Sequence, residues 1–209
     1  MMAGRNALLV CLLVASCIVS LPSTPADEAP DKPLAVGTAA PDFTIATLEG
    51  NQVSLSAWRG HVVVVNYFIT WYRDAARHLS VIEHLATRYS PQGLRVISIS
   101  LDEGEGGPDA TRTFVTTHEI AHPVAADPHQ VVAARYGVRA LPAIFVIGPE
   151  GKIVAYHEGY MEGDDKKIEG MISQALAASG EGETADESAD TGATEDQEPV
   201  CHCFKQKDE

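Results

Sequence analysis

Between residues 36 and 178 the apolar positions switch between a two-residue and a helical period, and each switch marks an element. Residues 42–48 and 52–55 are short, β-favouring and separated by Glu49-Gly50-Asn51, which predicts a hairpin. Val62 to Ile69 is almost unbroken in β-branched and aromatic residues, as a central strand covered on both faces should be. From Tyr72 to Tyr89 the period becomes helical, with Ala75, Leu79, Ile82, Ala86 and Tyr89 on one face. Pro91-Gln92-Gly93 stops that helix, and Leu94 to Ser100 predicts the next strand.

The second half continues the alternation. Residues 103–108 hold three glycines and a proline and predict a loop, followed by a helix over Ala110–Ile120 and a short strand at 123–126. Asp127 is placed to cap a helix running through Pro128, Val131, Val132 and Ala134. Residues 143–147 and 152–156 pair across Gly148-Pro149-Glu150-Gly151 as a hairpin. Asp164 to Ala178 is a last amphipathic helix with Ile168, Met171, Ile172, Ala175 and Leu176 inward. The order β-β-β-α-β-α-β-α-β-β-α predicts one α/β domain, a mixed sheet with helices on both faces, opened by an N-terminal hairpin.

Outside this stretch the pattern fails in two different ways. Arg5 precedes an apolar run, Ala7 to Leu21, of about fifteen residues, short of the ~20 that a membrane span needs and long enough for an export signal. Residues 1–26 are therefore set down as a signal peptide or lipoprotein signal. Val14-Ala15-Ser16-Cys17 has the form of a lipobox, with Cys17 the residue to be acylated; Ile18-Val19 continue the apolar run past it, which keeps ordinary cleavage and an uncleaved anchor open as alternatives. All three readings place the domain outside the cytoplasm, in the periplasm or cell envelope. Residues 27–35, rich in Pro and Asp, read as a linker. Residues 179–209 form an acidic tail too poor in apolar groups to offset its ordering entropy, which predicts disorder.

The net charge of −14 argues against nucleic acid or an anionic membrane as partner, so contact with membrane is left to the signal anchor or a lipid at Cys17. Ten acidic residues lie from Glu181 onward against Lys205 and Lys207, so the 36–178 domain is only mildly acidic.

The order of elements and several short stretches resemble the thioredoxin-like superfamily. In detail they are similar to its exported TlpA/ResA and redoxin (AhpC/TSA-like) branch. The stretches are Gly37-Thr-Ala-Ala-Pro-Asp-Phe43, Leu55 through Trp58-Arg-Gly-His-Val-Val-Val-Val-Asn-Tyr-Phe68, Thr70-Trp71, Ala134-Arg-Tyr-Gly-Val138, Leu141-Pro142 and Gly148-Pro-Glu-Gly-Lys-Ile-Val154. They span about 140 residues, and their order is more specific than any one of them. The resemblance implies thiol–disulfide chemistry by a Trp-Cys-x-x-Cys pair where the central strand meets its helix. It also implies a cis proline at Pro142 facing that pair, and an extended peptide bound along the Pro142 loop.

The sequence departs from that pattern at its centre. The two cysteine places hold Tyr72 and Ala75, and no cysteine occurs between Ile18 and Val200. A phenol and a methyl group cannot attack a disulfide sulfur, so the domain by itself has no atoms for reductase, oxidase, isomerase or thiol-peroxidase chemistry. What remains is a surface of Trp71, Tyr72, Leu141 and Pro142 for a polypeptide partner. The plain alternatives are that Tyr72 only fills the vacated space and that Pro142 is only a turn residue. No cofactor is implied.

Apart from Cys11 and Cys17 of the signal region, the thiols are in the tail, at Cys201-His202-Cys203, and they are the only ones of the mature chain unless Cys17 is retained. Three readings stand side by side: a redox pair of Cys201 and Cys203, a soft copper or zinc site that includes His202, or an incidental segment. His118-Glu-Ile-Ala-His122 matches a zinc-protease pattern, but Pro123 biases His122 away from the helix that pattern needs. His78 and His84 on the helix 72–89 are expected to be solvated.

Overall fold

The computed structural model describes residues 30–180. The signal region with Cys17 and the tail with Cys201, His202 and Cys203 lie outside the described residues.

Eleven elements follow in the expected order. They are β1 (Thr44–Ala46), β2 (Gln52–Ser54), β3 (Val63–Phe68), α1 (Ala75–Tyr89), β4 (Arg95–Ser100), α2 (Gly107–Thr117), β5 (Val124–Ala126), α3 (Val131–Arg135), β6 (Ala143–Ile147), β7 (Ile153–Glu158) and α4 (Asp164–Gly180). β1 and β2 form an antiparallel hairpin, and the other five strands form a sheet of order β5-β4-β3-β6-β7. β3 and β4 are parallel, β4 and β5 are parallel, and β6 runs antiparallel to both β3 and β7. β3 is thus central, and every one of its residues is buried.

Alternation along β3 divides the core between the two faces of the sheet. Val63, Val65 and Tyr67 pack with Phe43, Val53 and Leu55 of the N-terminal segment and with Val132, Ala133 and Tyr136 around α3. Val64 packs with Ile82 and Leu85 of α1 and with Ile168 and Ile172 of α4. Phe68 joins Leu79, Val115 and Ile120. Within the stretch set down as linker, Leu34 lies against the first of these clusters and its N–H donates to the Tyr136 carbonyl at 3.2 Å.

Two helices start later than their sequence pattern suggests. α1 begins at Ala75; Tyr72 to Asp74 form turns, with the Tyr72 N–H on the Ile69 carbonyl (3.4 Å) and the Ala75 N–H on the Tyr72 carbonyl (3.0 Å). Asp127 does cap a helix, because its carboxylate accepts the N–H groups of Val131, Val132 and Ala133 at 2.9, 2.8 and 3.1 Å. That helix is α3, one turn beyond Pro128.

One correction concerns a histidine, and the expectation for His118 and His122 is met. His78 is fully buried, not solvated, because it lies three residues after Ala75 and four before Ile82 on the inward stripe of α1. His84 is exposed as expected. α2 ends at Thr117, so His118 and His122 share no helical face: His118 is exposed beside Phe114, and His122 is buried among other partners described below.

Candidate functional site: the turn before α1 and the edge before β6

The parallel pair β3 and β4 both end at one rim of the sheet, and the chain leaving each must turn there. After β3 comes Ile69-Thr70-Trp71, and after β4 comes Leu101-Asp102-Glu103. These two turns are tied together by Asp102, which is 5% exposed. Its carboxylate accepts the Thr70 N–H (3.1 Å), the Thr70 Oγ1 (3.1 Å), the Ser100 Oγ (2.8 Å) and the Thr111 Oγ1 (3.2 Å). Gly107, the first residue of α2, sits so close that a Cβ there would stand 2.2 Å from the Asp102 carbonyl oxygen. Only glycine allows α2 to approach this turn.

The third wall is the chain entering β6. The Leu141–Pro142 bond is cis. Arg139 and Ala140 are exposed, Leu141 is half-buried and Pro142 is buried. The Pro142 carbonyl is already taken by the Gly159 N–H at 2.8 Å. By contrast, among the described residues no backbone–backbone hydrogen bond uses the N–H or C=O of Arg139, Ala140 or Leu141. Together the three walls enclose an open cavity of about 570 Å³, into which Trp71, Asp102, Glu103, Gln130, Arg139 and Leu141 face.

The expected surface residues therefore play different parts. Trp71 is 77% exposed at the cavity mouth. Tyr72 is half-buried, wedged against both large core clusters, so its ring fills space as much as it faces out. Pro142 shapes the edge from inside, and the groups open to a partner are those just before it. Ala75 is 2% exposed at the start of α1. Asp102, Glu103 and Gln130 were not singled out in the sequence. The one available signal was a carboxylate directly after a strand, Asp102, which is weak on its own.

Comparison with known proteins decides the kinship. The sequence profile of the AhpC/TSA family matches residues 36–156. The chain belongs to the AhpC/TSA family. The thiol-disulfide oxidoreductase ResA of Bacillus thuringiensis (strain Al Hakam) is 30% identical over 139 residues, covering 66% of this chain and 78% of that protein. ResA of Bacillus subtilis (strain 168) is 26% identical over 174 residues, covering 83% and 92%. Among solved structures, a Chlorobium tepidum protein assigned as a thiol:disulfide interchange protein DsbE superposes with a TM-score of 0.63 at 29% identity, over 68% of this chain and 99% of that one. The domain is a thioredoxin-like redoxin domain of thiol-disulfide oxidoreductase kinship.

Beneath the site this AhpC/TSA-family domain carries a buried polar chain that crosses the sheet. Asn66 and Ser98 are neighbours in the β3–β4 register, and both point to the α1 side. His78 Nε2 lies 2.7 Å from Asn66 Oδ1, Asn66 Nδ2 lies 3.0 Å from Ser98 Oγ, and Ser98 Oγ lies 2.7 Å from His122 Nε2. His122 Nδ1 then lies 2.7 Å from Glu83 Oε2, which also accepts the N–H groups of Ala121 and His122 at 2.9 Å each. One proton assignment satisfies every link: each group donates to the next, from His78 to Glu83. The readable signal was the pair of polar interruptions, Asn66 and Ser98, in otherwise apolar strands.

This chain makes the fold sensitive to acid. Burial lowers the His78 imidazole from its usual 6.5 to about 4, with His157 and His122 adding to the effect and Asp165 opposing it; the ring also meets the Tyr160 edge at 5.1 Å. The unfolded chain thus takes up a proton near pH 6.5 that the folded chain refuses until about pH 4. The stability from neutral His78 is complete above pH 6.5 and is lost as pH falls toward 4, a loss of about 3 kcal/mol. The hydrogen bond from His122 holds the Glu83 carboxyl down at about 2, so its contribution is present above pH 4.5 and is lost on falling toward 2. Urea unfolding should therefore weaken steadily from pH 6.5 to 4 and again below it, and His78→Leu should flatten the upper part of that slope. A midpoint that stays constant from pH 6.5 to 4.5 in the parent protein contradicts this account.

Proposed function

We propose that the protein is an exported, thioredoxin-like member of its family whose domain binds polypeptide and performs no thiol chemistry of its own. The reading rests on one juxtaposition. Where the resemblance puts a reactive dithiol, this chain has Tyr72 and Ala75, with no sulfhydryl anywhere from Ile18 to Val200. Beside them stand an exposed indole and three residues, 139–141, with open backbone groups. Strand addition needs such free N–H and C=O groups at an edge and a pocket for a side chain, and it does not need cysteine. Arg5 and the apolar run Ala7 to Leu21 support export to the periplasm or cell envelope.

The test is a binding measurement with extended peptides on the full chain, in parallel with a disulfide-exchange assay. Trp71→Ala is expected to weaken peptide binding by roughly thirtyfold, the loss typical of an aromatic anchor at the centre of a contact. Exchange activity is expected to be absent both in the parent and in the Cys201→Ser/Cys203→Ser form. Activity in the parent that disappears in the double-serine form would move the function to the tail thiols. Unaltered binding by Trp71→Ala would remove the indole from the site.

A further inference from the structure

Charge around the cavity is out of balance. The Asp102 carboxylate is buried, yet every hydrogen bond it receives comes from a neutral group: the Thr70 amide and the hydroxyls of Thr70, Ser100 and Thr111. Glu103, next in sequence and on the same cavity, takes one hydrogen bond, from Gln130 Nε2 at 2.8 Å, and that donor is neutral as well. No ion pair among the described residues includes either carboxylate. Arg139, the one cation facing the cavity, turns its guanidinium to the Pro30 carbonyl at 3.0 Å instead. A buried carboxylate without a cation is costly, and buried charges are ordinarily paired.

Two further observations say what the missing cation would be attached to. Trp71 stands exposed at the mouth, and an indole face attracts ammonium and guanidinium groups while its apolar surface suits their alkyl stems. The open backbone of 139–141 runs along the same cavity. Gln130, which holds Glu103, has a left-handed backbone (φ 53°), a conformation costly for a residue with a Cβ. That conformation sets its side chain against the Glu103 carboxylate on the cavity wall.

We infer that the cavity receives the lysine or arginine side chain of an extended polypeptide laid along residues 139–141, its stem on Trp71 and its cation between Asp102 and Glu103. The inference rests on the polypeptide-binding reading above and adds to it the chemistry of the preferred side chain. The partner is thus an unfolded or extended segment carrying an accessible basic residue, a choice that also suits the overall negative charge of the chain.

The test titrates the full chain with blocked pentapeptides, alanine apart from a central lysine, arginine, norleucine or glutamate, and follows the indole N–H resonances. Trp58 serves as the reference, since it is the second of the two tryptophans and lies away from this cavity. The lysine and arginine peptides should move the Trp71 signal and bind about tenfold more tightly than norleucine, with glutamate weakest. Glu103→Gln, a change on an exposed loop, should remove most of that preference. Equal binding of lysine and norleucine, or a preference undiminished in Glu103→Gln, overturns the inference and leaves polypeptide binding standing. If none of the peptides moves the Trp71 signal, both fail.

Discussion

Cysteines placed at 72 and 75 are expected to confer disulfide-exchange activity on the 36–178 domain, which holds no cysteine. In the Cys201→Ser/Cys203→Ser background, with an external reductant supplied to regenerate the pair, Tyr72→Cys with Ala75→Cys should reduce a small disulfide catalytically, its own thiols passing to a 72–75 disulfide in each cycle, and either change alone should not complete a turnover. The geometry is already suited to it. The Ala75 N–H bonds to the Tyr72 carbonyl at 3.0 Å, a tight turn that brings the two Cα atoms within about 7 Å, the reach of a disulfide. Position 72 is half-buried at the rim and position 75 is 2% exposed at the first residue of α1. The outer sulfur would attack and the inner one would resolve the mixed disulfide. The attacking thiol of a Cys-x-x-Cys turn leading into a helix has a pKa near ~7 in place of ~8.5, which raises the thiolate fraction at pH 7 from about 3% to about 50%. The check is turnover of a low-molecular-weight disulfide with both thiols counted by titration. A folded variant with two free thiols and no turnover would falsify the view that this rim is a redox site emptied of its sulfur.

Asn66→Leu should be the most damaging conservative change in the core. It leaves the His78 Nε2–H without its acceptor and takes one donor from Ser98 Oγ. His78 Nδ1 already lacks a partner among the described residues, so the ring would be buried with nothing to bond. Stranding these groups costs about 3 kcal/mol, or a fall in Tm of roughly 6–12 °C for a chain of this size. The same change made in a His78→Leu background should be milder by at least ~1 kcal/mol, because removing both partners spares the unpaired group. Equal costs in the two backgrounds would show that the chain from His78 to Glu83 does not act as a unit.

Much of the fold was legible because it depends on local periodicity. Stretches rich in β-branched and aromatic residues at 62–69 and 143–147 became two fully buried strands, and the 3.6-residue stripe of 75, 79, 82 and 89 became the inner face of α1. Even the burial of His78 was written there, since its spacing from Ala75 and Ile82 puts it on the stripe; residue type suggested solvent, and position prevailed. Helix starts were less legible. Pro128 suits a first helical turn, yet the Asp127 carboxylate caps the N–H groups of residues 131–133, one turn later.

The amino-acid sequence by itself determined the family's scaffold and the absence of sulfur from it, because a missing atom needs no coordinates to be missing. It also determined that Trp71 would stand beside Tyr72 at a strand-to-helix junction. Only the tertiary structure decided that Pro142 is buried while residues 139–141 are open. It alone brought Asp102, Glu103 and Gln130 around Trp71, and joined residues 66, 78, 83, 98 and 122 in one hydrogen-bonded line. The physical reason is sequence distance. Periodicity speaks for neighbours within a turn or a strand, whereas the cavity and the polar chain are built from loops and strands that meet only when the sheet is assembled.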